Sequence, residues 1–387
     1  ERLLKFMLWA CGGSRWFWDG PQEVGESLNK RFSSHPCGEF DREFMAKVYQ
    51  EPFSGTSSEE VPEPRGLASP LGRNLEGCRI GFDLGGSDRK VAAVIDGEVT
   101  FSEETPWDPY HQTDPDYHKA GIIDSIEKAR AHLPRLDAIG GSSAGVFVDD
   151  RPRVASLFRG ISESDFAEKI SPMFIDLGKE LDVPLSIIND GEVTALAASM
   201  SLKQNAVLGI AMGTSEATGY VDTQGRVTSW LNELAFAPVD YSPNAPADEW
   251  SGDVGCGVQY FSQQAVGRLI PKTDLSIDSN IGLPEKLERV QEFMADGNEE
   301  AASIYRTIGT YLGYGIAHYA SFYSLSHALI LGRVTSGEGG TIILEEAQKV
   351  LQAEFPDLND QITFHQPDEK NKRHGQAIAA ASLPSIN

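Results

Sequence analysis

From Arg79 onward, apolar residues fall in short runs bounded by glycine, the form that β-strands take in a sequence. Arg79 to Leu84 reads as a buried strand and Asp88 to Ile95 as a second. Asp96-Gly97 is a pair favoured in two-residue hairpin turns, and a third strand is predicted at Glu98 to Phe101. Helical spacing follows over about Pro115 to His132. Leu136 to Ser142 reads as a strand that ends in the small-residue turn Gly140 to Gly145. The strand beginning at Leu185 stops abruptly at Asn189-Asp190, before a helix at Val193 to Met200. Helices are then predicted at Ile304 to Ser324, Thr341 to Phe355 and Gln376 to Leu383, with a buried strand at Ala328 to Gly332 and an edge strand at Thr363 to His365. Strands alternating with helices in this way imply mixed sheets covered by helices.

The first 77 residues differ. They show no sustained period and are punctuated by Gly55 to Ser58, Pro62, Pro64 and Pro70, which predicts an irregular extension with one short helix near Glu39 to Tyr49. The run Leu3 to Cys11 has the outline of a lipoprotein signal, but it is short and interrupted by Lys5.

Comparing the chain with itself exposes a duplication. Ile80-Gly81-Phe82-Asp83-Leu84-Gly85-Gly86-Ser87 aligns with Leu208-Gly209-Ile210-Ala211-Met212-Gly213-Thr214-Ser215. Each octet is followed by a strand, a turn with glycine (Gly97 or Gly225) and another strand. At 387 residues the chain exceeds what one core usually serves. The expected division is an extension at 1–77, a first α/β domain at 78–188 with the C-terminal helix 373–387 packed on it, and a second α/β domain at 189–372.

Charge and cysteine content narrow the partners. A net charge of −24 repels nucleic acid and anionic lipid, and the acidic, proline-bearing extension argues against a DNA-reading helix-turn-helix. No run of about 18 apolar residues suggests a membrane span. The four cysteines have neither paired nor CxxC spacing, which fits a reduced, cytoplasmic setting.

The duplicated turns carry the candidate chemistry. Gly85, Gly86 and Ser87, and again Gly213, Thr214 and Ser215, present backbone N–H groups unobstructed by bulky side chains, a geometry that can converge on phosphate oxygens. Asp83 has Ala211 as its counterpart, so it is either a turn-stabilising carboxylate or one that holds hydrated magnesium between itself and a phosphate. Asn189 and Asp190 are open to two readings: a helix cap, or a pair in which Asn189 bonds a hydroxyl-rich ligand and Asp190 accepts the proton of an attacking hydroxyl.

Taken in order, these pieces resemble the ROK family (repressor, open reading frame, kinase) of the sugar kinase and actin-like ATPase superfamily. The likeness runs from about Arg79 to the C-terminus. The family's Asp-x-Gly-Gly-Thr loop is matched by Asp83 to Ser87, its Asn-Asp pair by Asn189-Asp190, and its Gly-Thr-Gly loop by Gly213-Thr214-Ser215. Its Gly-Glu-x-Gly-His segment corresponds to Asn232 to Phe236, and its Gly-Cys-Leu-Glu-x-Tyr-x-Ser segment to Gly255 to Ser262.

The resemblance implies an α/β, actin-like ATPase (ribonuclease H-like) fold of two duplicated domains with a cleft between them. It also implies an ATP-dependent sugar kinase with Asp190 as general base. Asn189, Glu233, Ser143 and Gly145 would then lie at the sugar, Gly85, Gly86, Ser87, Gly213, Thr214 and Ser215 at the phosphates, Gly332 and Arg333 near the adenine, and Asp83 behind a hydrated Mg2+. A homodimer is implied as well.

Departures are specific. Phe236 stands where relatives have a metal-binding histidine and only Cys256 remains of the zinc cysteines, so no structural zinc is expected. Val258 replaces a glutamate that touches the sugar, a loss for which Asp253 or Glu249 are candidate substitutes. The extension lacks the winged DNA-binding module of the family's repressors. The alternative is therefore a ROK-like sugar-sensing regulator that has lost phosphotransfer.

Overall fold

In the computed structural model, the described residues are 1–58, 71–366 and 372–386; Pro62, Pro64, Pro70 and Asn387 lie outside them. Over its described residues the N-terminal segment is not irregular. It forms three helices, α1 (Arg2–Cys11), α2 (Gln22–Ser33) and α3 (Glu39–Tyr49), with two short parallel strands, β1 (Arg15–Trp18) and β2 (Ser54–Ser57). Helix α1 occupies the run that has the outline of a signal. Its Phe6, Trp9 and Ala10 are fully buried in the core of the second lobe. Burying two large aromatics contributes about 2–3 kcal/mol each. The segment's core-forming residues are divided among elements of 4 to 12 residues, too short for periodicity to register.

The first lobe is built on a five-stranded sheet of β3 (Cys78–Leu84), β4 (Asp88–Ile95), β5 (Glu98–Pro106), β6 (Ala138–Ser143) and β9 (Leu185–Asn189), in the order β5-β4-β3-β6-β9. β3, β4 and β5 form an antiparallel meander, and β6 and β9 continue parallel to β3. Asp96 and Gly97 both take left-handed backbone angles (φ 48° and 85°), as a tight primed hairpin turn requires. β5 runs beyond the predicted Phe101, with strictly alternating exposed and half-buried positions. Polar Ser102 to Thr105 suit such an edge strand, which a search for apolar runs passes over. Helix α4 (Pro115–Arg130) joins β5 to β6, and between β6 and β9 lie the small hairpin β7 (Val146–Val148) and β8 (Arg151–Val154) and the helix Met173–Leu181.

The second lobe repeats the plan. β10 (Val207–Met212) pairs antiparallel with β11 (Glu216–Val221) and parallel with β12 (His327–Leu331), which carries β13 (Thr363–His365). The order β11-β10-β12-β13 is that of the first sheet without its outer strand. The third strand expected after Gly225 shrinks to one bridge, Val221 with Val227. Asp222 folds the chain there by accepting from the backbone N–H groups of Gln224 and Arg226, and Val227 also bridges Leu71. Thr228 to Leu231 and Glu233 are thereby released to line the cavity.

The helix Lys372–Ala381 returns to the first lobe and packs on β3, β4 and β6, and on the helix Asp190–Leu202. Contact is backbone to backbone: a β-carbon at Gly140 would lie 1.7 Å from the Ala380 carbonyl oxygen, and one at Gly81 2.0 Å from that of Ala377. Only glycine allows this approach.

Candidate functional site

The C-terminal ends of β3, β6 and β9 lie side by side, with Asp83 opposite Ser142 and Ser143 opposite Asn189. In open α/β sheets this edge is where ligands collect. Asn189 ends β9 and caps the helix Asp190–Leu202: its side-chain oxygen accepts from the Gly191 N–H at 2.7 Å. Its amide donates to the Gly145 carbonyl at 2.8 Å, which leaves one amide hydrogen for a ligand. Of the two readings of the pair, the cap is the one the geometry shows, and Asn189 makes it; Asp190 is the first helical residue, with one oxygen accepting from the Gly191 N–H (2.9 Å).

Asp190 is half-buried, and its pKa is raised to about 6, first by burial and then by the negative charge of Asp83. Asp83 is itself pushed up by burial, against the opposing pull of a 2.6 Å hydrogen bond from Ser142 and of the Lys90 ammonium 4.0 Å away. Glu233 is raised to about 7 by burial and by Asp190. Asp83, Asp190 and Glu233 therefore form a run of electrostatically coupled carboxylates.

A cavity of about 310 Å³ opens beside them. Gly145, Asn189 and Glu233 line it, together with Asp150, Glu192 and Tyr49, which sequence reasoning did not single out. Gly145 has φ 129°, and a β-carbon there would meet the Val154 carbonyl at 2.6 Å. Glu192 is held neutral by burial, with a pKa near 8, and accepts from Asn232 at 3.3 Å. Its place in the first turn of the helix that follows Asn189 was a legible signal. Ser143 departs from expectation. It is fully buried, its hydroxyl donates to the Leu84 carbonyl at 3.3 Å, and it does not line the cavity.

The two glycine turns share one internal bond. Gly85 N–H donates to Asp88 O (2.9 Å), and Gly213 N–H to Ser215 O (3.0 Å). The N–H groups of Gly86, Ser87, Thr214 and Ser215 have no backbone partner among the described residues. The first turn is partly covered: Trp107 donates to Gly85 O at 2.7 Å, and the Tyr110 hydroxyl sits where a side chain on Gly86 would go. Gly332 (φ 105°) packs against Met212 at the end of β10, which sets Gly332 and the exposed Arg333 beside the second turn.

Asp83 suits magnesium held through water. Mg2+ is commonly bound by one or two carboxylates together with substrate phosphates. Among the described residues, no group of three or more His, Cys, Asp or Glu is placed to hold a metal directly.

Glu216, directly after the second turn, was also missed. It is buried with a pKa near 8, raised by burial, and neither oxygen has a regular hydrogen bond although Tyr319 faces it. Phe236 and Cys256 have a distinct environment. Phe236 packs on Trp9, Phe40 and Trp250, while Cys256 lies beside Asp253 with its thiol pushed up to about 12 by burial.

No protein-family model matches the chain, and no curated protein matches it by sequence. Solved structures do. A ROK hexokinase from Thermus thermophilus superposes with a TM-score of 0.60 at 18% identity, over 78% of this chain and 97% of that one. A ROK family transcriptional regulator, a homologue of the E. coli MLC protein, gives 0.60 at 19% over 86% and 82%. A ROK family glucokinase from Streptomyces griseus, in complex with glucose and AMPPNP, gives 0.54 at 20% over 78% and 98%. The fold is that of ROK proteins, the actin-like ATPase fold, with about a fifth of this chain outside the match to the hexokinase.

Proposed function

We propose that this chain, having the ROK fold, is a divergent ROK-family sugar kinase that transfers the γ-phosphate of ATP to a hydroxyl of a hexose or related sugar. The observation that carries the proposal is Asp190: a half-buried carboxylate at the head of a helix, directly after Asn189, which lines a cavity together with Glu233, and with a pKa near 6. A general base works best when its pKa lies close to the operating pH. Asp190 takes the proton of the attacking hydroxyl. The free amide hydrogen of Asn189 and the carboxyl of Glu233 fix neighbouring hydroxyls. At pH 7 Glu233 is divided between its two forms, so it both donates and accepts.

The N–H groups of Gly86, Ser87, Thr214 and Ser215 cradle the phosphates of ATP, and Gly332 and Arg333 border its base. Mg2+ held through water by Asp83 supplies charge neutralisation. Phosphoryl transfer asks mainly for positioning and charge stabilisation, so these residues suffice without a covalent intermediate.

A sugar-sensing protein without phosphotransfer is the second reading. It is favoured by Tyr110 lying over Gly86 and by the apolar, buried Val258 at the position of a sugar-contacting glutamate. The test is ATP consumption with a panel of hexoses, N-acetylated hexosamines and polyols, run on the wild type and on Asp190→Asn. Sugar-dependent turnover that disappears in the variant supports the kinase. Sugar binding with no turnover in either protein decides for the sensor.

A further inference from the structure

The loop that presents Glu233 is held by the N-terminal segment. Backbone N–H groups of Asn232 and Glu233 donate to Ala10 O and Trp9 O, at 2.9 and 3.0 Å, at the C-terminal end of α1. Helix α1 is in turn fastened by a fully buried ammonium. Lys5 pairs with Asp253 at 2.8 Å and with Asp41 of α3 at 3.0 Å, and Arg2 joins Asp253 at 2.6 Å. Trp9 also donates to Asp41, at 2.8 Å. A buried charge of this kind is stable only while its partners stay in place, so the cluster fixes α1, α3 and the loop around Asp253 as one unit. Helix α3 then crosses to the first lobe, lies against the β7–β8 hairpin, and places Tyr49 in the lining of the cavity that Asn189 also lines.

We propose that residues 1–49 are part of the substrate site, with Lys5 as a positioning residue for Glu233 and Tyr49 as the wall that limits the size of the acceptor admitted. The proposal rests on reading the cavity as the acceptor site. A cavity of about 310 Å³ with Tyr49 in its lining is of a size that suits a monosaccharide.

Two measurements on the full chain test it. In the first, amide hydrogen exchange is followed in Lys5→Gln. The Asn232 and Glu233 amides are expected to exchange at least about tenfold faster while Ile139 and Gly140, deep in the first sheet, stay as in the wild type. Unchanged exchange at Asn232 and Glu233 overturns the role of Lys5. Should Lys5→Gln loosen the first sheet as well, the milder Asp253→Asn is read in its place by the same criterion.

The second measurement compares Kd for D-glucose and for maltose in the wild type, Tyr49→Phe and Tyr49→Ala. Opening the wall is expected to shift the maltose-to-glucose preference at least about fivefold toward maltose in Tyr49→Ala only, with Tyr49→Phe like the wild type. An unchanged preference in Tyr49→Ala, or an equal shift in Tyr49→Phe, overturns the wall assignment. If the wild type binds neither sugar, the acceptor-site reading falls and takes the Tyr49 assignment with it, while the exchange experiment still decides whether Lys5 holds the loop.

Discussion

Asn189 and Gly145 are joined by a 2.8 Å hydrogen bond from the side-chain amide of one to the carbonyl of the other, which ties the end of β9 to the turn after β6. The same side chain caps the helix that carries Asp190. Asn189→Ala removes both bonds. The cap alone is worth about 1 kcal/mol, and the Gly145 carbonyl loses a partner besides. Urea denaturation is expected to show a loss of about 1–3 kcal/mol, and calorimetry a weakened Kd for sugar. Unchanged stability would mean that water replaces both bonds without penalty.

Asp190→Asn keeps the shape of the side chain and removes its basicity. Turnover is expected to fall by about 10²- to 10⁴-fold, the usual range for a lost general base, with sugar Kd changed little. The wild-type rate is expected to fall as pH drops through about 6, because the raised pKa puts protonation of Asp190 there, and this acid limb is absent from the residual activity of the variant. A variant with near-wild-type turnover rules out Asp190 as the base.

Asp83→Asn tests the magnesium assignment. The Mg2+ concentration needed for half-maximal ATP turnover is expected to rise roughly tenfold or more, while sugar Kd is unaffected. Stripping the wild-type protein with EDTA is expected to abolish turnover reversibly. The charge of Asp83 also raises the Asp190 pKa, so in Asp83→Asn the acid limb of the pH profile moves to lower pH. An unmoved limb would show that the two carboxylates do not interact.

Glu192 and Glu216 give stability a pH dependence. Their folded-state pKa values, near 8, lie above the unfolded value of 4.5, so the folded protein holds more protons between those limits. Their contribution is complete below pH 4.5 and lost as pH rises through 8. Each contributes a slope of up to about 1 kcal/mol per pH unit in that window. Glu216→Gln is neutral at every pH, and denaturation between pH 5 and 9 is expected to show a flatter curve. A steeper or identical curve contradicts this.

Gly140→Ala is expected to destabilise the first lobe by about 1–3 kcal/mol, because a β-carbon would collide with the Ala380 carbonyl and lift the helix Lys372–Ala381 from the sheet. Equilibrium unfolding monitored by near-ultraviolet circular dichroism reads this directly.

The inner strands β3, β4, β10 and β12 were legible because each carries an apolar run closed by a turn former. The two glycine turns were legible because the chain repeats itself. The pair Asn189-Asp190 was visible as a strand that ends in polar residues. What escaped lies where tertiary contact decides the outcome. Ser143 looks like any small polar turn residue, and only its place in β6 buries its hydroxyl. Helix α1 reads as a stray apolar run because its partners, Asp41, Asn232 and Asp253, are tens to hundreds of residues away. Glu216 gave no sign, since nothing in a sequence marks a carboxyl that the fold keeps neutral. The truncated third strand of the second sheet turns on one side chain, Asp222, bonding its own turn.

The helix Lys372–Ala381 covers strands β3, β4 and β6, the last of which ends at Ser143, 229 residues before the helix begins at Lys372. Ala92, Val94 and the glycine floor beneath that helix stay wet throughout most of synthesis. The lobe made first is thus finished late, and a chain stalled before residue 372 presents an apolar surface of the kind that chaperones hold.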